Sequence, residues 1–83
     1  MPDTPTIYTS ETCRDCQSTK RAFESRGVAV LEIDVNKTPG AVPALKSMGY
    51  QQLPVVITKD DRWSGYRIDK ILGHVSKVTR HAS

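Results

Sequence analysis

In the segment TSETCRDCQSTKRAF, residues 9 to 23, two cysteines stand three positions apart, directly after a strand-like run and directly before a helix-like one. The pair in Cys13-Arg14-Asp15-Cys16 can be a working dithiol, half of a metal site, or two thiols that are merely neighbours. These are the only two cysteines in 83 residues, too few for the disulfide framework of a small secreted scaffold. That count favours redox chemistry or metal binding. With Thr12 as an N-cap and Asp15 three positions on, the pattern predicts a capping box, with Cys13 as the first helical residue and Cys16 about one turn further in. The first turn of a helix leaves unpaired N–H groups and the positive end of the macrodipole beside the Cys13 sulfur, and both favour thiolate over thiol. A free cysteine with a pKa of about 8.5 is roughly 3% thiolate at neutral pH, whereas one lowered to about 7 is roughly half ionised. Cys13 is therefore the expected nucleophile. Cys16, deeper and shielded by its own helix, is expected to stay protonated until it resolves a mixed disulfide formed by Cys13. Arg14 favours a neighbouring thiolate, and Asp15 opposes it unless its carboxylate is engaged at the cap.

The elements that must hold this pair follow from length and pattern. A chain of 83 residues has room for one core, so residues 1–83 are read as a single domain. No apolar run approaches the ~18 residues of a membrane span. The start MPDTPTIYTS lacks the basic stretch and apolar run of a secretory signal, which predicts a cytoplasmic protein. A net charge of +3 and the basic residues Lys70, Lys77 and Arg80 raise nucleic-acid binding as an option. Those residues alternate with Ile68, Ile71, Leu72, Val75 and Val78, however, which reads as the solvated face of an amphipathic helix.

Residues 5 to 9, PTIYT, suit a strand, and residues 13 to 26 a helix that carries Cys16, Ala22 and Phe23 inward and stops at Gly27. The run VAVLEIDV, 28 to 35, predicts a strand covered on both sides, with Ala29, Leu31, Ile33 and Val35 on one face. Residues 36 to 49 read as a second helix with Thr38 as cap, although Pro43 predicts an irregular first turn or a regular start only near Pro43. PVVIT at 54 to 58 is a buried strand, KDD a turn, RWS a short edge strand, and 67 to 79 the last helix. The first two strands should be parallel by the right-handed crossover rule, and the last two an antiparallel hairpin. The expectation is an α/β, thioredoxin-like fold of glutaredoxin size: a four-stranded mixed sheet with three helices in the order βαβαββα.

Pro54 stands at the start of a buried strand, where it donates no ladder bond. It reads either as an ordinary turn proline or as a cis X–Pro that aims the backbone of Leu53 at the dithiol, leaving its groups to pair with an extended substrate.

Three segments together resemble the NrdH-redoxins, small glutaredoxin-like electron donors, over nearly the whole chain. They are the C-x-x-C followed by Ser18-Thr19-Lys20-Arg21-Ala22, the run Gly49-Tyr50-Gln51-Gln52-Leu53-Pro54-Val55-Val56, and Trp63-Ser64-Gly65-Tyr66-Arg67 with Asp69-Lys70. The last is similar to the family's W-S-G-F-R-P-D stretch. The resemblance implies a thioredoxin-like fold, a cis proline before the third strand and no bound cofactor. It also implies electrons from NADPH through thioredoxin reductase, and delivery to a disulfide in the large subunit of class Ib ribonucleotide reductase by a monomeric protein. It further implies that Trp63, Ser64, Gly65, Tyr66 and Arg67 lie near the active-site end and help choose partners, whereas on their own Trp63 reads as a hairpin-edge aromatic and Arg67 as a solvated residue. Departures are Arg14-Asp15 where the family has an apolar residue or proline followed by Gln, Tyr66 for Phe, and Ile68 for proline.

Two rival functions differ in chemistry. A glutathione-dependent glutaredoxin usually carries a basic residue three before its first cysteine and a Gly-Gly-x-Asp stretch before its last helix. Here Ser10 and Trp63-Ser64-Gly65-Tyr66 stand in those places. A zinc-binding interaction module would take Cys13, Cys16, His74 and His81, but the gap between those histidines is six residues, longer than the usual finger spacing.

Overall fold

The computed structural model describes residues 4–82, with side chains through residue 77. Strand β1 (Thr6–Thr9) runs parallel to β2 (Leu31–Asp34) on one side and antiparallel to β3 (Val55–Ile57) on the other. β3 pairs antiparallel with β4 (Arg62–Ser64), which gives a mixed sheet in the order β2-β1-β3-β4. Helices α1 (Arg14–Glu24), α2 (Ala41–Ser47) and α3 (Ile68–Ala82) complete the expected βαβαββα sequence of elements.

Alternation along the strands divides the core into two layers. Ile7, its partner Val56 and that residue's partner Trp63 share one face, where they meet Ala22 and Phe23 of α1 and Ile71 of α3. Val55 serves the other face, with Ala41 and Leu45 of α2 and Val35, and Tyr8 and Ile57 pack against that group. Ile7, Phe23, Val55, Val56 and Ile71 are completely buried. His74 sets its ring edge-on to Phe23, with centroids 5.8 Å apart, so it is half-buried rather than solvated.

Helix ends explain most differences from the expected boundaries. α1 closes as predicted at Gly27: Val28 N–H reaches Phe23 O at 3.0 Å and Gly27 N–H reaches Glu24 O at 3.0 Å, with Gly27 at φ 78°. That is the double bond pattern of a left-handed helix stop. α2 ends alike at Gly49, where Tyr50 N–H reaches Leu45 O at 3.0 Å. Its start differs from Asn36. The helix begins at Ala41 after Gly40 (φ 85°), which places Pro43 in the first turn, where its missing N–H leaves no intrahelical bond unmade. Thr38 contributes a carbonyl to Ala41 N–H rather than a side-chain cap.

Two burial expectations are corrected. β2 is an edge strand, four residues long, and Leu31 is 55% exposed, so it is not covered on both sides. On α3 the inward face is narrower than the apolar pattern implies: Ile71 is buried and Val75 half-buried, while Ile68 and Leu72 face solvent, and the side chains of Val78 and Arg80 lie outside the described residues.

α3 is fastened to the β3–β4 turn by Lys70 Nζ on Asp61 Oδ2 at 2.9 Å. That hydrogen bond, with the Arg62 N–H on the same carboxylate, holds Asp61 below the ordinary aspartate range. A depressed carboxyl stabilises the fold above its unfolded pKa, about 3.9, and ceases to do so as pH falls through the lower folded value. Asp61→Asn keeps an acceptor for Arg62 and removes the charge. It should lower the melting temperature slightly at neutral pH, since the pair is solvent-exposed, and match the parent near pH ~2, as read by thermal circular dichroism at both pH values.

Candidate active site

The strand register gathers three chain segments at one end of the sheet. β1 leads through Thr9 into the turn that carries the cysteines, β3 starts beside that end just after Pro54, and β4 leaves it through Gly65, whose N–H donates to Pro54 O at 2.8 Å. Gly65 is at φ 82°, a conformation that a side chain disfavours.

Cys13 and Cys16 are joined as a disulfide, with their Cα atoms 5.3 Å apart. The helix does not start as the capping-box pattern predicts. Cys13 N–H reaches back to Ser10 O at 3.2 Å, closing a turn over Glu11 and Thr12, and the helix begins one residue later. Cys13 itself is the N-cap, extended at φ −92° and ψ 109°, and its sulfur accepts the N–H of Cys16 at 3.1 Å. Thr12 instead sits in the turn, its hydroxyl 3.5 Å from that of Ser10. This start sharpens the electrostatic asymmetry of the pair, because the outer sulfur takes one of the orphan N–H groups of the helix directly.

Exposure separates the two sulfurs. Cys13 is partly exposed and Cys16 is 2% exposed. Arg14 and Asp15 are both exposed and point away from the core. Cys16 borders an open polar cleft of about 390 Å³ between the ends of β1 and β2 and the start of α1, lined also by Thr9, Glu32, Asp34 and Lys37. Glu32 clasps this region together: Lys20 Nζ lies 3.1 Å from Oε1, and Thr9 Oγ1 donates to Oε2 at 3.3 Å. The Glu32 hydrogen bond and charge raise the Lys20 pKa above its ordinary value.

The Leu53–Pro54 bond is cis. Pro54 is buried, and Leu53 lies two residues before the β3 ladder, half-buried against the α2 side of the core. Beside it, an apolar cleft of about 190 Å³ opens between α2 and residues 50 to 53.

The 63–67 segment is divided. Trp63 is 5% exposed and belongs to the core, so its indole leaves little surface at this end of the sheet. Ser64 pairs with Val55 in the ladder. Tyr66 is 42% exposed. Arg67 grips Asp69 with two hydrogen bonds of 3.2 and 3.0 Å, which lowers the Asp69 pKa and raises that of Arg67.

For the metal alternative, the described residues bring no ligand set together. The two sulfurs bond each other and His74 packs on Phe23, while the side chain of His81 lies outside the described residues. Among the described residues, no three His, Cys, Asp or Glu side chains cluster as a metal site.

Thr19, Thr9, Lys20 and Glu32 are absent from the sequence-based site. For Thr19 the i, i+3 rule supplies a signal, since it places Thr19 on the same helix face as Cys16.

A model of the Glutaredoxin family matches residues 6–63. The "Glutaredoxin-like protein NrdH" of Escherichia coli (strain K12) is 50% identical over 66 residues, covering 80% of this chain and 82% of that protein. Its namesake in Lactococcus lactis subsp. cremoris (strain MG1363) is 29% identical over 62 residues, covering 75% and 86%. Among solved structures, the glutaredoxin-like NrdH-redoxin from Escherichia coli, described as having a thioredoxin-like activity profile, superposes with a TM-score of 0.81 at 47% identity, covering 84% of this chain and 92% of that one. A mutant of the thioredoxin-like protein BC3987 reaches 0.76 at 23% identity over 88% and 95% of the two chains, a likeness of fold.

Limited alkylation of the fully reduced protein with iodoacetamide at neutral pH should label Cys13 well before Cys16, as read by peptide mass. Cys16 labelled first would overturn the reading of the cap and the burial.

Proposed function

This chain belongs to the glutaredoxin family, among the NrdH glutaredoxin-like thiol-disulfide oxidoreductases, and from that premise we propose that Cys13 attacks, Cys16 resolves, and the pair carries electrons to class Ib ribonucleotide reductase. The observation that carries this reading is the contrast between a half-exposed sulfur capping a helix and a buried sulfur one turn inside it.

The reaction balances on the two sulfurs. The Cys13 thiolate bonds to one sulfur of the target disulfide, and the other target sulfur leaves as a thiolate that takes a proton. Cys16 then gives up its proton and bonds to Cys13 Sγ, expelling the second target sulfur as a thiolate that is protonated in turn. The target gains two electrons and two protons, and the redoxin is left as the disulfide. An external dithiol reverses the change. Thioredoxin reductase, fed by NADPH, is the proposed source, and the sulfurs need no bound cofactor. A capped thiolate is the better attacking and leaving group, while the buried sulfur is reached only from within the molecule, which directs the second step to the internal partner.

Leu53 and Pro54 are the proposed docking edge. They lie at the sheet end shared with the cysteine turn, and Leu53 is outside the ladder, so its main chain is available to an extended target segment. Tyr66 and the exposed first turn of α3 are the proposed partner-choosing surface, set beside that edge by the Gly65–Pro54 bond. The site of action is proposed to be the cytoplasm, with a monomer as the working form.

The test is NADPH oxidation coupled through thioredoxin reductase and class Ib ribonucleotide reductase, run beside glutathione with glutathione reductase. Turnover is expected with the first system and to be minor with the second. Cys13→Ser and Cys16→Ser should each cut it by about a thousandfold or more. Cys16→Ser should still trap a covalent complex with the reductase subunit, whereas trapping by Cys13→Ser would reverse the roles.

A further inference from the structure

Thr19 is completely buried on α1, and its hydroxyl oxygen has no hydrogen-bond partner. A buried, unpaired hydroxyl is unfavourable, and a helical threonine ordinarily relieves this by bonding the carbonyl four residues back. Thr19 makes no such bond, which leaves its hydroxyl able to take a partner.

The neighbour one turn earlier on the same buried face is Cys16. Helical side chains three apart have Cβ atoms about 5–6 Å apart, and each leans toward the helix N-terminus, so Thr19 leans toward Cys16. In the disulfide form the Cys16 sulfur is drawn forward to Cys13. Reduction frees it. An external dithiol transfers two electrons and two protons, the Sγ–Sγ bond breaks, the external dithiol becomes a disulfide, and the Cys16 sulfur regains rotation about its Cα–Cβ bond.

We propose that the Thr19 hydroxyl is the hydrogen-bond partner of the reduced Cys16 sulfur and thereby sets how readily the pair is reduced. The inference rests on the redox role of the Cys13–Cys16 pair given above and adds the residue that weights its two states. The bond exists in the reduced form and is absent from the oxidised one, so it favours the dithiol. Loss of the hydroxyl makes the protein a stronger reductant.

Thr19→Val keeps the branched shape and removes the hydroxyl, and Thr19→Ser keeps the hydroxyl and removes a methyl. Each is equilibrated in dithiothreitol redox buffers, quenched with an alkylating agent and read by intact mass. Thr19→Val should shift the equilibrium about tenfold toward the disulfide, equivalent to a potential about 30 mV more negative, and Thr19→Ser should stay at the parent value. Thermal unfolding supplies a second reading: Thr19→Val should leave the oxidised form at least as stable as the parent and weaken the reduced form. An unchanged potential in Thr19→Val overturns the proposal, and so does an equal shift in Thr19→Ser, which would mark a packing effect. The potential is measured without any partner protein. The predicted shift alongside failure in the reductase-coupled assay would therefore sink the assigned partner and support this bond.

Discussion

The pairing register of β1 is the constraint on which the rest of the molecule depends. Ile7 opposite Val56 and Tyr8 opposite Val55 send alternate side chains to two different helical layers. A slip of one residue would turn Ile7 toward α2 and Tyr8 toward Phe23, exchanging a fully buried aliphatic for a phenol in the larger cluster. It would also move the turn over Glu11 and Thr12 by one residue relative to Pro54. The same hydrophobic alternation that builds the core thus holds the cysteine turn in line with the start of β3.

Within that frame, the difference between the two sulfurs is made mostly by main chain. Cys13 lies outside the helix and faces its exposed N–H groups, one of which it accepts, while Cys16 lies inside and contributes that same N–H. The polarity of the pair is set by where the helix starts, a matter of one residue. Side-chain charges matter less, because Arg14 and Asp15 are both in solvent, where water and salt weaken them. The Glu32 clasp on Lys20 and Thr9 ties α1, the helix that carries the inner cysteine, to β1 and β2.

The order of elements is legible in the sequence because period-two and period-3.6 patterns are separated by Gly27, Gly49 and the turn at 59 to 61, and both helix stops fall where those glycines indicate. The cysteine pair is legible because two cysteines at this spacing before a helix point to redox chemistry or metal, whereas Pro54 alone reads equally as an ordinary turn proline, and the isomer of its bond has no signature in the residue itself. Two further kinds of feature are not legible. A cap depends on which of two adjacent polar residues the preceding turn claims, and the Ser10–Cys13 bond that decides between Thr12 and Cys13 has no local signature. Burial depends on neighbours far along the chain: Leu31 and Ile33 have the same pattern, yet only tertiary placement leaves one exposed at the sheet margin. Trp63 reads as a hairpin-edge aromatic, and only the pairing opposite Val56 shows it to belong to the core.

That margin has a consequence for how copies of the molecule coexist. β2 is only four residues long, and just beyond its pairing Asp34 folds the chain away by accepting Asn36 N–H at 2.8 Å. Another chain trying to extend the sheet there would meet a short seam and an abrupt bend, two of the devices by which natural sheets avoid open-ended stacking. Fibrous assembly is thus discouraged along the border opposite the hairpin.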